Sequence, residues 1–170
     1  TPVMALFGAS LADFLDAAPQ AAQMRWIGDL ARLEFAMRDS YHAADGEAPD
    51  AAALASIPPD QLGETCFALP PSLRVIRSDW PVLSIWRRAL DPEAPQAQPG
   101  GEDVLILRPG YDPEPHLLAP GDAAFIAALI WGARLSEAAE IATDEAPDHD
   151  PTPILTLLMQ SNALTPEATP

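Results

Sequence analysis

The sequence predicts a mainly α-helical α+β protein, with an N-terminal helical domain followed by a small winged-helix-like domain that contains a β-hairpin. Three observations predict this class. Apolar residues recur every three or four positions in the first quarter of the chain, a short β-prone run with a proline-glycine turn follows further along, and three short segments of helical pattern come after it. A length of 170 residues is enough for one domain of ordinary size or for two small domains that share a core.

Helices dominate the predicted N-terminal domain. Ser10 is the expected N-cap of a short helix that ends before Pro19. The clearest helix runs from about Gln20 to Ala44, because its apolar residues step along one face at intervals of three or four. These residues are Trp26, Leu30, Leu33, Met37 and Tyr41. A further short helix is predicted over residues 51–56.

The stretch SLRVIRSDWPVLSIWRR, residues 72–88, is predicted to form a short strand and then a helix. The β-branched residues in its first half favour a strand. Ser78 or Asp79 is the expected N-cap of the helix, and Pro81 lies in the first turn, where its missing N–H costs nothing. Two arginines end the helix, where cations interact favourably with the helix dipole.

A proline-rich polar stretch, DPEAPQAQPGGED, is the best candidate for a domain boundary. We therefore predict an N-terminal domain over residues 1–90 and a C-terminal domain over residues 101–170. Residues 103–118 have the pattern of a β-hairpin, and a hairpin followed by three short helices is compatible with a winged-helix-like module. The three helices are predicted from about Asp122 to Trp131, after a cap at Ser136, and from about Pro153 to Gln160.

The chain is strongly acidic: 25 acidic residues face 9 basic ones, all of them arginine, and the net charge is −16. Affinity for nucleic acid or for an anionic membrane comes from lysine and arginine, so the charge argues against both. The longest apolar runs are about half as long as a membrane span requires. A single cysteine, Cys66, excludes an intrachain disulfide and suits a reducing compartment, so we expect a cytoplasmic protein.

No catalytic or metal-binding motif is evident in the sequence. The three histidines, His42, His116 and His149, have no histidine partner at helical spacing. The DHD sequence at 148–150 lies in an acidic, proline-flanked loop, where a solvated linker is a better explanation than a cation site. Because phosphate loops, nucleophile elbows and HExxH patterns are also absent, we expect no catalytic residue, no metal and no cofactor in this chain.

The hairpin is the first candidate docking surface. An exposed strand edge offers unpaired N–H and C=O groups to which an extended peptide can add as a further strand. The sequence therefore suggests a peptide-binding strand made of Val104, Leu105, Ile106, Leu107 and Arg108. The alternative is that the helices after the hairpin cover both faces of this strand.

The second candidate is the one positively charged segment, residues 67–90, which holds four of the nine arginines and a single acid. Two explanations stay open. The arginines offset the protein's own carboxylates, or they contact an acidic partner, since arginine pairs well with carboxylates and is enriched at interfaces together with tryptophan. The candidate partner-binding residues are Arg74, Arg77, Trp80, Trp86, Arg87 and Arg88.

Four stretches resemble, in order and spacing, the HvfC family of bacteria, whose label describes a DNA-binding domain and whose distant relatives include the methanobactin-biosynthesis partner MbnC. They are IGDLARLEFAMRDSYHAAD, LPPSLRVIRSDWPVLSIW, VLILRPG and LAPGDAAFIAALIWGARLSEAAE. The resemblance spans most of residues 10–164. Family members usually have a longer helical section after the position of Gly8, so we expect an N-terminal domain that is truncated or lacks residues after Gly8.

The resemblance implies an N-terminal helical domain, a winged-helix-like domain and a role as a non-catalytic partner of a TIM-barrel multinuclear iron enzyme. That enzyme modifies cysteines of a ribosomally made peptide into metal-binding groups, and the small partner holds the leader peptide by strand addition. Carried onto this chain, the leader would dock along residues 103–118 and the enzyme would contact the N-terminal helices and the WPVLSIWRR region.

Two other functions stay open. A DNA-binding transcriptional regulator is the alternative that the family label suggests, although residues 91–170 carry 14 acids and only two arginines, Arg108 and Arg134. The chain could also be an interaction protein that has no peptide client.

Overall fold

The computed structural model describes residues 8–46, 53–54 and 56–167. The described part is an α+β fold with a helical N-terminal region, which confirms the predicted class. Its α-helices are α1 (Leu11–Ala17), α2 (Ile27–His42), α3 (Val82–Leu90), α4 (Asp122–Ile130), α5 (Leu135–Glu145) and α6 (Thr152–Gln160). Its strands are β1 (Phe67–Ala68), β2 (Arg74–Ile76), β3 (Val104–Leu107), β4 (Glu114–Leu117) and β5 (Thr165–Pro166).

The helix predicted from Gln20 to Ala44 is shorter at its start, because α2 begins only at Ile27. A 3₁₀ turn at Pro19–Ala21 and further turns precede it, and their backbone bonds, such as Met24 N–H to Ala21 C=O at 2.8 Å, span three residues rather than four. Of the short helix predicted over 51–56, residues 53 and 54 are helical, Ser56 is in a turn, and 51, 52 and 55 lie outside the described residues.

A cluster of carboxylates around Arg32 holds α1 against α2. The Arg32 guanidinium donates to Asp29 in its own helix at 2.9 Å and to Asp13 and Asp16 of α1 at 3.0 and 2.6 Å. These hydrogen bonds, above all the one to Asp16, raise the pKa of Arg32 although partial burial opposes the change. The charge network therefore links the short first helix to α2.

The centre of the fold is a three-stranded antiparallel sheet in the order β2-β3-β4. In it, Val75 lies opposite Leu105, which lies opposite His116 on the other side. The predicted hairpin is therefore present, and β2 extends it to a third strand. A second ladder, which the sequence pattern did not predict, pairs β1 with β5.

Strand β3 contributes to two hydrophobic cores because its side chains alternate between the two faces of the sheet. Leu105 and Leu107 pack in a core with α4, α5 and α6, whose largest buried member is Phe125. Val104 and Ile106 pack in a second core with residues of α2 and α3. The continuous apolar sequence of β3 thus reflects burial on both faces.

The sheet joins parts of the chain on both sides of the predicted domain boundary, since β2 precedes the proline-rich linker and β3 and β4 follow it. The division into residues 1–90 and 101–170 stays a prediction.

The start of α3 is stabilised from outside the helix. Neither Ser78 nor Asp79 is its N-cap, which corrects the sequence-based expectation: the N-cap is Pro81, which has no capping side chain. The carboxylate of Glu102 instead accepts the N–H of Ser84 at 2.9 Å and a hydrogen bond from the Ser84 hydroxyl. A carboxylate at a helix N-terminus satisfies free N–H groups and interacts favourably with the helix dipole.

We expect Glu102→Ala to lower the free energy of unfolding by about 1 to 2 kcal/mol, because two hydrogen bonds at the start of α3 are lost. Urea titration measures the change. Glu93→Ala, which removes an exposed carboxylate from the linker, is the matched control and should change stability by less than about 0.5 kcal/mol. Equal losses in the two variants would show that Glu102 does not cap the helix.

Candidate functional site

The predicted peptide-binding strand is in the middle of the sheet. Its residues Val104–Leu107 are at most 1% exposed, and both edges of β3 are already paired, with β2 and with β4. A further strand cannot add beside β3, so the expectation of an exposed edge at these residues is wrong. The faces of β3 are covered, as the alternative supposed, but α2 and α3 cover one of them in addition to the helices that follow the hairpin.

Arg108, the fifth predicted peptide-binding residue, makes its hydrogen bonds to other residues of the same chain. Its guanidinium donates to the carbonyls of Tyr41 at 2.8 Å and Ala44 at 3.2 Å and to the carboxylate of Asp45 at 2.9 Å. Only 9% of its side chain is exposed. Arg108 therefore satisfies carbonyls at the C-terminal end of α2, where a cation is favourable.

The outer edge of β4 is a poor template for another strand. The backbone N–H of Leu118 donates to the carbonyl of Asp103 at 2.9 Å. Hydrogen-bonded and non-hydrogen-bonded residue pairs alternate along an antiparallel ladder, so the backbone polar groups of Leu117 and Pro115 point away from β3. Pro115, like Pro113 just before the strand, has no N–H, which leaves Leu117 as the outward donor of this strand. Proline at such positions protects an edge from pairing.

The outer edge of β2, in contrast, has backbone N–H donors that point outward. By the same alternation, Arg74 and Ile76 pair with β3, whereas the N–H and C=O groups of Val75 and Arg77 point away from it. These groups make no hydrogen bond with the described residues. Two donors and two acceptors at a spacing of two residues are the pattern that an added strand requires.

Two of the predicted partner-binding arginines are paired with carboxylates of the same chain. Arg74 donates to Asp39 of α2 at 2.7 Å. Arg77 donates to Asp103 at 3.1 Å and to Glu145 at the end of α5 at 2.5 Å, and the hydrogen bonds to Glu145 are the main cause of its raised pKa. These contacts agree with the explanation that the arginines offset the protein's own acidity.

The other two arginines of the segment are exposed at the end of α3. Arg87 donates to the carbonyl of Pro115 at 3.4 Å, and Arg88 donates to the carbonyl of Ala94. Neither contact neutralises the charge, so the partner role predicted for Arg87 and Arg88 stays a prediction.

Trp80 and Trp86 are half-buried against the core of α2 and α3. The indole N–H of Trp86 donates to Glu34 of α2 at 2.6 Å. Both side chains therefore contribute to the packing of α3, and the prediction that they also bind a partner is not tested by this arrangement.

A buried histidine–aspartate pair is the main feature that the sequence analysis missed. The Nε2 of His149 donates to the Oδ1 of Asp122 at 2.9 Å, and the two side chains are only 1% and 9% exposed. The second oxygen of Asp122 accepts the N–H of Ala119 at 2.8 Å. The expectation of a solvated loop at 148–150 is thus wrong for His149, which ties this loop to the start of α4.

Gly121 makes room for this pair. Its φ of +91° is in the left-handed region, and a Cβ at this position would lie 2.8 Å from the His149 ring. The signal in the sequence was the glycine before Asp122, but nothing local connects it to a histidine so far along the chain.

His116 lies on β4, 3.9 Å from Glu114 between the Nε2 and a carboxylate oxygen. Partial burial lowers its pKa, Glu114 opposes this change and Arg87 adds to it. The Nε2 is buried and has no hydrogen-bond partner among the described residues. His116 is consequently held mainly in its neutral form at pH 7.

Beyond these contacts, the described residues hold no group of three or more His, Cys, Asp or Glu side chains that could bind a metal ion. None of the helices in this part of the chain has the length and apolarity needed to cross a membrane. Comparison of the chain with protein-family models and with curated proteins gives no match.

Proposed function

We propose that this chain is a non-catalytic partner subunit that recognises a peptide, which adds as a strand to the outer edge of β2. The observation that carries the proposal is the contrast between the two edges of the sheet. At β2, Val75 and Arg77 keep outward donors and acceptors, whereas Pro113 and Pro115 remove donors from the edge at β4. In this proposal the peptide pairs with the edge of β2 and not with β3, the strand that the sequence analysis had suggested.

The client and the enzyme follow from the resemblance to the HvfC family. The client would be the leader of a ribosomally made precursor peptide, and the partner would be a TIM-barrel iron enzyme that modifies the cysteines of that peptide. The iron and the oxidation chemistry would belong to the enzyme, and this chain would contribute binding and orientation.

DNA binding is the alternative, and the contacts of the arginines weigh against it. In residues 91–170 the two arginines are Arg108, which is almost buried against α2, and Arg134, whose guanidinium is 3.1 Å from a carboxylate oxygen of Glu64. A protein that tracks phosphates needs free cations on the surface that enters a groove.

Co-expression of the tagged chain with its neighbouring open reading frames tests the partner role. We expect an iron-containing barrel protein to co-purify with the chain and to bind the precursor more tightly in the complex. A chain that purifies alone and shifts a DNA duplex at about 150 mM salt would contradict the proposal and support the alternative.

A pair of proline substitutions tests the docking edge. Val75→Pro removes an outward N–H from β2, and Leu117→Pro removes the outward N–H from β4, and neither change costs a bond within the sheet. We expect Val75→Pro to weaken binding of a synthetic leader peptide about tenfold, since one backbone hydrogen bond and the close approach of the strand are lost. Fluorescence anisotropy measures the affinity.

Leu117→Pro is the matched control and should leave the affinity unchanged. The thermal midpoint of each variant identifies any loss of binding that comes from unfolding, which matters for Val75 because its side chain packs against the core of α4 to α6. Weaker binding in Leu117→Pro alone would place the peptide on β4 and overturn the choice of edge.

A further inference from the structure

Carboxylates of α2 lie beside both ends of strand β2, on the face of the sheet that α2 covers. At the first residue of the strand, Arg74 contacts Asp39 at 2.7 Å. Just past the last residue, the hydroxyl of Ser78 donates to Asp29 at 2.7 Å. Helix α2 therefore runs along β2 and places a carboxylate near each end of the open edge.

Four aspartates share two arginines in this border. They are Asp13, Asp16, Asp29 and Asp39, with Arg32 and Arg74. Both contacts of Arg74 with Asp39 are made to the Oδ2 atom, so the Oδ1 atom is not used by this arginine. The side chain of Asp39 is also 37% exposed. A second cation can therefore approach Asp39 without displacing Arg74.

Other charges near β2 do not reverse this balance. Arg38 lies over the ring of Phe35, and both line a cleft against α1. Arg25 and Asp79 line one cleft beside the start of α2, where their charges offset each other. The edge of β2 is thus bordered by an excess of negative charge.

The opposite face of the sheet is acidic as well. There Arg77 is shared by two carboxylates, since it donates to Asp103 at 3.1 Å and to Glu145 at 2.5 Å. A peptide that approaches the edge of β2 consequently meets more carboxylates than guanidinium groups on either face, and such a field attracts a positively charged partner.

A peptide that adds to β2 directs alternate side chains to the two faces of the sheet. Residues directly opposite each other in a β-ladder point to the same face, whether the strands are parallel or antiparallel. The residue opposite Val75 therefore faces the core of α4 to α6, in which Val75 packs. The residue opposite Ile76 faces α2, because Ile76 packs in the core of α2 and α3.

The position opposite Ile76 lies between the two carboxylates. Ile76 is uncharged, and its neighbours on the same face are Arg74, in contact with Asp39, and Ser78, in contact with Asp29. Diagonal neighbours on one face of a sheet are about 7–8 Å apart, which is within reach of a long side chain. A lysine or arginine opposite Ile76 can thus reach a carboxylate on either side.

We propose that the peptide that adds to β2 is basic and has lysine or arginine at the position opposite Ile76. Its cation pairs with the carboxylates of Asp39 and Asp29, whereas the residue opposite Val75 is apolar and extends the core. This preference rests on the proposed strand addition at β2 and specifies the class of peptide that the edge accepts. Backbone hydrogen bonds supply the pairing, and the side chain opposite Ile76 supplies the selection.

Three fluorescein-labelled peptides of seven residues test the preference. In each of them threonine or valine alternates with one variable residue, which is lysine, glutamine or glutamate, so that all variable side chains can face α2 together. We expect the lysine peptide to bind about tenfold more tightly than the glutamine peptide, and the glutamate peptide to bind most weakly. Fluorescence anisotropy measures the affinities, and the difference should shrink as the salt concentration rises.

Asp39→Asn tests the position of the cation. It should weaken binding of the lysine peptide about threefold to fivefold, as expected for one exposed ion pair, and leave binding of the glutamine peptide unchanged. Asp112→Asn is the matched control, because it removes the same charge from an exposed residue in the turn between β3 and β4. It should change neither affinity. The thermal midpoint of each variant identifies any effect of unfolding.

The outcomes separate the charge preference from strand addition. Equal binding of the three peptides, weakened in each case by Val75→Pro, would overturn the preference and leave strand addition at β2 in place. Binding of the lysine peptide that Val75→Pro does not change would overturn both, since charge alone would then attract the peptide. An equal loss in Asp39→Asn and Asp112→Asn would also overturn the preference, because it would show that the cation is not held beside α2.

Discussion

Replacing Leu105 or Ile106 with alanine is expected to lower the free energy of unfolding by about 2 to 5 kcal/mol in each case. Both side chains are fully buried on β3, but they point into different cores. Each substitution removes three side-chain carbon atoms and leaves a cavity that the sheet cannot close, because β3 is fixed on both edges. The loss should therefore be near the upper part of this range.

The two variants should also unfold in a single common transition, because β3 belongs to both cores. Urea unfolding followed by tryptophan fluorescence reports mainly on the half-buried Trp26, Trp80 and Trp86, since the fourth tryptophan, Trp131, is 88% exposed in the native state. Far-UV circular dichroism reports on all helices. We expect the two signals to coincide in the wild type and in each variant.

Leu117→Ala is the control for this experiment, because Leu117 lies on the neighbouring strand and is 53% exposed. This substitution should lower the free energy of unfolding by less than about 0.5 kcal/mol. If Leu105→Ala shifted the dichroism alone and left the tryptophan transition in place, the predicted domains 1–90 and 101–170 would unfold independently. That result would contradict the shared role of β3.

The second large effect is expected at the buried pair of His149 and Asp122. His149→Ala should lower the free energy of unfolding by about 3 kcal/mol, because it leaves the Asp122 carboxylate buried with one N–H donor and opens a space beside Phe125. Asp122→Asn should cost less, since the amide oxygen can still accept one of the two hydrogen bonds, that from the N–H of Ala119, and no carboxylate is left buried with an incomplete set of donors. Thermal or urea unfolding measures both values.

His42→Ala is the matched control, because the same substitution falls on an exposed residue at the end of α2. It should change stability by less than about 0.5 kcal/mol. Similar losses in His149→Ala and His42→Ala would show that the buried pair contributes no net stability.

Part of the fold could be predicted from the sequence because local patterns specify it. The positions of α4 and of the hairpin follow from apolar periodicity and a proline-glycine turn, and α6 begins within one residue of its predicted start. The N-caps were less predictable. Glu102 reaches α3 from the far end of the proline-rich linker. The N-cap of α5 is Arg134, two residues before the predicted cap at Ser136.

The candidate surfaces were only partly predictable. The sequence singled out the arginines of residues 72–88, but their partners Asp39, Asp103 and Glu145 are distant in the chain and carry no local signal. Likewise, the burial of His149 depends on its contact with Asp122 at the start of α4, which is distant in the chain.

By itself, the sequence determined that this chain forms helices around a short hairpin and that positive charge is scarce, since composition, periodicity and turn residues are local properties. Only the tertiary structure decided that β3 is central and β2 is an edge. Strand order depends on β2 closing onto β3 across the linker, and this non-local pairing is favoured because it buries both faces of β3. The same pairing decides which backbone groups remain available to a partner.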